Sequence, residues 1–471
     1  MDLTTRKTLR EALTKLSTEI AAALRTQLLA PGPTQERARV LHRDEKVGDA
    51  FELWTDLLSR RAAVLWVLKS LYVRALEDRG LLRPGRILDP ESEQLFAHLA
   101  PNLGPTAYLR WVFRDLSTGQ GGLPELFAPQ PAEIGVVPDA LSSKLIDLWR
   151  SKDLDSGALR YRFDDEHFDG RLLGDLYQDL DPVVKKRYAL LQTPDFVLDF
   201  ILDETLTPAI AEFGIETVRL LDPACGSGHF LLAGFKRIVA GMREKEPGRD
   251  VREVVKDVLD RVVGIDLNDY ACGLARARLV MTALEICGET DLGAAHDFHP
   301  RVYCADALEQ VEEEQQLTSA ALDPVARESN GMLTPPEIRA ALRKVLKPRF
   351  HAVVGNPPYI TEKDATKREY HKEKVGKTRR YVSAAGKYSL GAPFTERMLQ
   401  LAVDGGFMGE ITADSFMKRE FGKALIQEVL AKRDLRKVVS TSGAYIPGHG
   451  TPTVIFVCAQ PDVPRSSTRT Q

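Results

Sequence analysis

A strand, a glycine-rich turn and a helix, written in one continuous run, constrain this chain more than any other feature. Val218-Arg219-Leu220-Leu221 reads as an apolar strand. Asp222-Pro223-Ala224-Cys225-Gly226-Ser227-Gly228 follows it, and Leu231 to Met242 carries apolar residues at helical spacing. Glycines in such a turn let the backbone approach a ligand and swing sharply into the helix. The unit predicts an α/β fold with its site at the carboxyl ends of the strands. It is not the dinucleotide fingerprint, which needs a third glycine where Leu231 stands. The next apolar run, Val262-Val263-Gly264-Ile265, ends in Asp266 and Leu267, one βα unit downstream, where an acid can hold ribose hydroxyls. Ala271 to Leu284 then continues as a helix, and Val302-Tyr303-Cys304 runs into Asp306, an acid suited to an adenine amino group. For all three acids, capping a helix N-terminus is the plain structural alternative.

A second motif, Val353-Val354-Gly355-Asn356-Pro357-Pro358-Tyr359, carries the chemistry. An exocyclic amino group on a base is a poor nucleophile because its lone pair is delocalised into the ring. The Asn356 side-chain oxygen and the Pro357 carbonyl can each accept one of its N–H bonds. Holding both protons pulls the nitrogen toward tetrahedral geometry and frees the lone pair. Pro357 and Pro358 fix the backbone so that both acceptors converge, and Tyr359 offers a face on which a substrate ring can stack. The competing reading is a Pro-Pro turn that merely closes a buried strand.

Taken in order, Asp222-Pro-Ala-Cys-Gly-Ser-Gly, Asp266, Asp306 and Asn356-Pro-Pro-Tyr resemble a γ-class N6-adenine DNA methyltransferase. Within that class the chain is most similar to the PglX methylases of BREX phage-defence systems and to the related type IIG enzymes. The resemblance covers about residues 185–460 and implies a Rossmann-like S-adenosylmethionine-dependent domain. Its cofactor contacts would be Thr193, Asp222, Pro223, Ala224, Cys225, Gly226, Gly228, Asp266, Leu267, Asp306, Asn356 and Phe394. Thr193 lies in Arg187–Phe196, which is similar to the segment that closes over the methionine end of the cofactor. Phe394, in Lys387–Phe394, would pack near the cofactor adenine or serve as a core residue. The catalytic turn would be Asn356, Pro357, Pro358 and Tyr359, with double-stranded DNA as substrate.

Two departures from the family pattern stand out. In Tyr445-Ile446-Pro447 an isoleucine occupies the place where an aromatic normally stacks on the flipped adenine, which leaves either Tyr445 for that role or a weaker stack. The polar tail Pro464–Gln471 leaves no room for the target-recognition domain that follows in the family. The resemblance therefore implies a fragment, a split gene product, or a subunit that takes a separate recognition module or other phage-defence proteins as partners.

Composition agrees. At 471 residues, 44% hydrophobic and 28% charged, the chain can bury a large core. A net charge of −3 excludes a strongly basic nucleic-acid binder, although a local cationic groove remains open. The five cysteines form no C-x-x-C pair, so neither a metal site nor a disulfide framework is expected. The N-terminus lacks a signal-peptide core and no apolar run reaches the roughly 20 residues of a membrane span, which points to the cytoplasm.

The chain divides near residue 185. Residues 1–184 read as a mostly helical domain, with Ala62–Leu76 at helical spacing before Gly80. Residues 185–462 read as the methyltransferase domain, with an acidic insertion at 309–346 in which Pro335-Pro336-Glu337 opens a helix, and 463–471 as a tail. No nuclease motif is expected in the helical domain; Asp44-Glu45-Lys46 reads as a solvated charge run. Lys363, Lys367, Arg368, Lys372, Lys374, Lys377, Arg379 and Arg380 follow the catalytic turn. They read as a mobile basic loop that grips phosphates through Lys363 and Lys367, or as a solvated loop or helix offset by neighbouring acids. Three other functions stay open: a protein-glutamine or ribosomal-RNA amino methyltransferase, a catalytically incompetent cofactor- or partner-binding subunit, and a fused nuclease–methylase.

Overall fold

The continuous apolar runs become neighbouring strands of one sheet. The computed structural model describes residues 3–44, 50–119, 122–153, 155–163, 180, 193–311, 336–362, 365–375, 378–441 and 452–461. Its strands are β1 (Leu220–Asp222), β2 (Val262–Asp266), β3 (Arg301–Cys304), β4 (Phe350–Gly355), β5 (Lys374–Val375), β6 (Thr378–Arg379), β7 (Ala402–Ala413), β8 (Asp434–Ser440) and β9 (Thr453–Ala459). Seven of them form a sheet in the order β3-β2-β1-β4-β7-β9-β8, while β5 and β6 pair separately. Strands β3, β2, β1, β4 and β7 run parallel, and β9 lies antiparallel between β7 and β8. This is a Rossmann-like methyltransferase sheet.

Strand order reverses at β1, with β2 and β3 on one side and β4 and β7 on the other. The carboxyl ends of β1 and β4 thus border the crevice where such sheets take their ligands. Both predicted motifs leave the sheet at that point. Leu221, Val263, Ile265 and Val353 are fully buried, and each side chain of this kind stabilises the fold by about 1.5–3 kcal/mol. The helix His229–Lys245 lies close on β1, because a Cβ at Gly234 would fall 2.2 Å from Leu220 Cδ2.

The chain resolves into two compact units. One comprises Met1–Lys186 with Met281–Asp297, the other Arg187–Val280 with Phe298–Gln471. The sequence reading had placed residues 281–297 in the methyltransferase domain. The first unit is helical. Its helix Phe51–Asp78 buries Lys69, whose Nζ donates to Glu133 Oε2 at 2.5 Å, and Arg74, which pairs with Glu77 and Asp78. Such charges sit inside only because each is matched by an acid. Asp44 ends the helix Pro33–Asp44; Glu45 and Lys46 lie outside the described residues. In the insertion, Pro336 opens the helix Pro336–Leu346 as expected, and 312–335 lies outside the described residues. Among the described residues no helix is long and apolar enough to cross a membrane.

Candidate active site

The glycine-rich turn closes on the end of β2. Cys225 N donates to Ile265 O at 3.0 Å and Gly226 N to Asp266 Oδ2 at 2.8 Å. Asp266 Oδ1 accepts from Asn268 N at 2.8 Å, and Asp222 Oδ1 from Ala224 N at 3.0 Å. Gly228 enters the helix at φ 85°, and a Cβ there would stand 2.9 Å from Ala275 Cβ, so only glycine makes this turn. Ser227 O accepts from Arg278 Nη1 at 2.6 Å. Sequence reasoning missed this almost fully buried arginine. Its only signal was a cation on an apolar helix.

Asp222 and Asp266 lie near one another, and neither has an ion-pair partner among the described residues. Burial, reinforced by the Asp266 charge, pushes the Asp222 carboxyl up to about 8; burial also raises Asp266. Two acids left without a counter-charge suit a cationic ligand. S-adenosylmethionine carries a sulfonium and an ammonium, so the residues present fit it. Leu267 is exposed beside Asp266, while Pro223 and Ala224 flank the turn.

Asp306 is buried. Its Oδ1 accepts from Leu308 N at 3.0 Å and its Oδ2 from Lys367 Nζ at 3.0 Å. The basic segment differs from the mobile loop expected of it. Ala365–Lys372 is a helix, followed by the β5–β6 hairpin. Its Lys367 faces Asp306, just beyond β3, a partner that local charge pattern does not reveal. Lys363 lies outside the described residues. Lys367→Ala is expected to change cofactor affinity through Asp306 while leaving the salt dependence of DNA binding intact; a log–log slope reduced by about one would instead make Lys367 a phosphate contact.

At the end of β4 the Asn356 amide is held from both sides. Its Nδ2 donates to Thr193 Oγ1 at 3.2 Å, and its Oδ1 accepts from the Tyr359 hydroxyl at 2.6 Å. Tyr359 also lies 3.3 Å from Ile411 O, and burial raises its phenol well above the usual range. Thr193 and the turn, distant in sequence, are thus brought together. An amide oxygen is the acceptor type that a substrate N–H requires. Phe394 is buried in the core beside Met398, on the helix Gly391–Leu401. Tyr445 lies outside the described residues.

Glu410 was not foreseen. It stands opposite Gly355 in the β4–β7 register, is fully buried, and accepts from Thr395 Oγ1 at 2.5 Å through Oε1. Burial pushes its carboxyl from 4.5 up to about 8. Between those values the folded state binds a proton that the unfolded chain releases, so this group's contribution to stability falls as pH rises. Glu410→Gln removes the titration. Its thermal midpoint is expected to exceed the parent's at about pH 8.5 by more than it does at about pH 5; a gap independent of pH would refute this.

Fold, turn and acids together define a Rossmann-like methyltransferase domain. Residues 260–446 match the Eco57I restriction-modification methylase family. The chain is related to the PglX adenine-specific methyltransferases: it is 37% identical over 486 residues to PglX of Streptomyces coelicolor, covering 96% of this chain and 40% of that protein. It is 25% identical over 257 residues to the type II methyltransferase M.BstVI of Geobacillus stearothermophilus, covering 54% of this chain and 38% of the relative. The chain spans about two fifths of the length of these curated relatives. Among solved structures, the type IIL restriction-modification enzyme MmeI in complex with DNA shares the fold, with a TM-score of 0.57 and 13% identity over 96% of this chain and 57% of that one.

Proposed function

We propose that this chain is the catalytic part of a cytoplasmic DNA N6-adenine methyltransferase, of the γ class, serving a BREX-like phage-defence system. The single observation that carries the reading is the Asn356 amide, fixed by Thr193 and Tyr359 at the mouth of the crevice. When bound there, S-adenosylmethionine supplies a methyl group already activated on a sulfonium. Asp222, Asp266 and Asp306 would hold it, with Thr193 and Phe394 at its two ends.

The target adenine must leave the duplex, because its amino group is paired inside it. Asn356 Oδ1 and the Pro357 carbonyl then accept its two N–H bonds and direct the nitrogen lone pair at the methyl group. Thr193 fixes which end of the amide faces the substrate. Tyr359 and Tyr445 would flank the base, with Lys363 near the backbone.

The test is transfer of labelled methyl from S-adenosylmethionine to phage genomic DNA, with nucleoside analysis. N6-methyladenine supports the proposal. Label found instead in guanine or in protein glutamine overturns the substrate class, and a protein that binds the cofactor yet labels nothing, even with its recognition partner added, is a binding subunit.

A further inference from the structure

Two thiols lie together at the carboxyl ends of β2 and β3, and methyl transfer uses neither. Register sets Cys304 beside Asp266. Cys272, in the first turn of the helix Asp269–Cys287, has its Sγ 3.5 Å from Asp266 O and 3.4 Å from Tyr303 O, the carbonyl just before Cys304. Cys304 Sγ also lies 3.7 Å from Leu267 O. Cys272 is fully buried while Cys304 is partly exposed, so a reagent from solvent meets Cys304 first. The hydrogen bond from Cys272 holds the Cys304 thiol below its ordinary range, whereas that bond and burial hold Cys272 well above. A reactive thiol beside a protected one is the arrangement of an attacking and a resolving cysteine.

We propose that Cys304 and Cys272 form a peroxide-oxidisable dithiol that closes to an intramolecular disulfide. The Cys304 thiolate attacks one oxygen of hydrogen peroxide; the O–O bond breaks, hydroxide leaves, and Cys304 becomes a sulfenic acid. The Cys272 sulfur then attacks the Cys304 sulfur. The S–S bond forms as the sulfenic hydroxyl leaves with the Cys272 proton as water. Two thiols lose two electrons, and peroxide is reduced to water. The bond would draw the start of the helix against β3, between Asp266-Leu267-Asn268 and Asp306. On the reading of those acids as cofactor contacts, oxidation weakens the cofactor and bound cofactor protects the thiols, because such coupling is reciprocal.

Intact mass and peptide mapping after hydrogen peroxide treatment are the test. The expected result is loss of two hydrogens, a Cys272–Cys304 crosslinked peptide and reversal by dithiothreitol. Cys304→Ser should form no crosslink, and Cys272→Ser should stop at a sulfenic acid that dimedone traps on Cys304. Peroxide that modifies Cys304 without crosslinking it in the parent chain overturns the dithiol. S-adenosylhomocysteine titration of reduced and oxidised protein reads the consequence, with affinity expected to fall about tenfold on oxidation. A crosslink with unchanged affinity overturns the coupling. Reduced protein that binds no S-adenosylhomocysteine would count against the methyltransferase reading, while the crosslink still decides the dithiol.

Discussion

Asn356→Ala is expected to leave cofactor affinity within about threefold and to cut methyl transfer by about a hundredfold to a thousandfold, the loss that follows removal of one preorganised polar contact at a reacting centre. The substitution removes the Oδ1 acceptor and the donor to Thr193 Oγ1 together. Tyr359 keeps its second acceptor, Ile411 O, so the turn should hold its place. The Pro357 carbonyl remains to accept one substrate N–H, which accounts for residual transfer. Single-turnover transfer from S-adenosylmethionine, read beside an S-adenosylhomocysteine titration, separates the effects. Undiminished transfer would remove Asn356 from the reaction. Loss of both binding and transfer would make the amide a structural tie between the turn and Thr193.

What the sequence made legible follows from burial. β1, β2 and β4 are central strands whose apolar runs stand out, and each forms within a few residues of its expected span. β8 was not anticipated. Asp434-Leu435-Arg436-Lys437-Val438-Val439-Ser440 is an edge strand exposed along its length, so no apolar face selects it over a charged loop. The helix at Ala365–Lys372 is one of the plain readings of its segment, which the charge pattern alone does not separate from a basic loop. Its cations suggest a nucleic-acid contact, yet Lys367 takes its partner from Asp306, far away in the chain.

The site itself was legible where backbone demands specific residue types and illegible where it depends on contacts remote in sequence. Gly228, with its positive φ, and the Pro-Pro turn announce themselves. The Thr193–Asn356 bond, the Arg278 contact to Ser227 and the place of Glu410 opposite Gly355 come from the sheet's topology. Glu410 did leave a trace, as the lone acid inside the apolar run of β7, where burial of an unpaired carboxyl is costly.

Asp266→Ala is expected to weaken S-adenosylhomocysteine binding by about a hundredfold or more, because it removes hydrogen bonds to a charged group worth about 1.5–3 kcal/mol each. The carboxylate does two things. It fastens the glycine-rich turn by accepting from Gly226 N, and it orders the entry to the next helix by accepting from Asn268 N. It would also meet the cofactor ribose with its remaining lone pairs. Asp266→Asn keeps one oxygen and should lose less. Unfolding is not the expected cause. The Asp266 charge helps to push the Asp222 carboxyl up, so removing it lowers that carboxyl toward its ordinary range. A raised carboxyl costs stability increasingly as pH climbs. The alanine variant should therefore lose less thermal stability than the parent between about pH 5 and about pH 8. Weak binding with a retained, less pH-sensitive melting transition would assign Asp266 to the cofactor. Unchanged affinity would reduce it to a cap on its helix, and a collapsed melting transition at every pH would make it a strut of the fold.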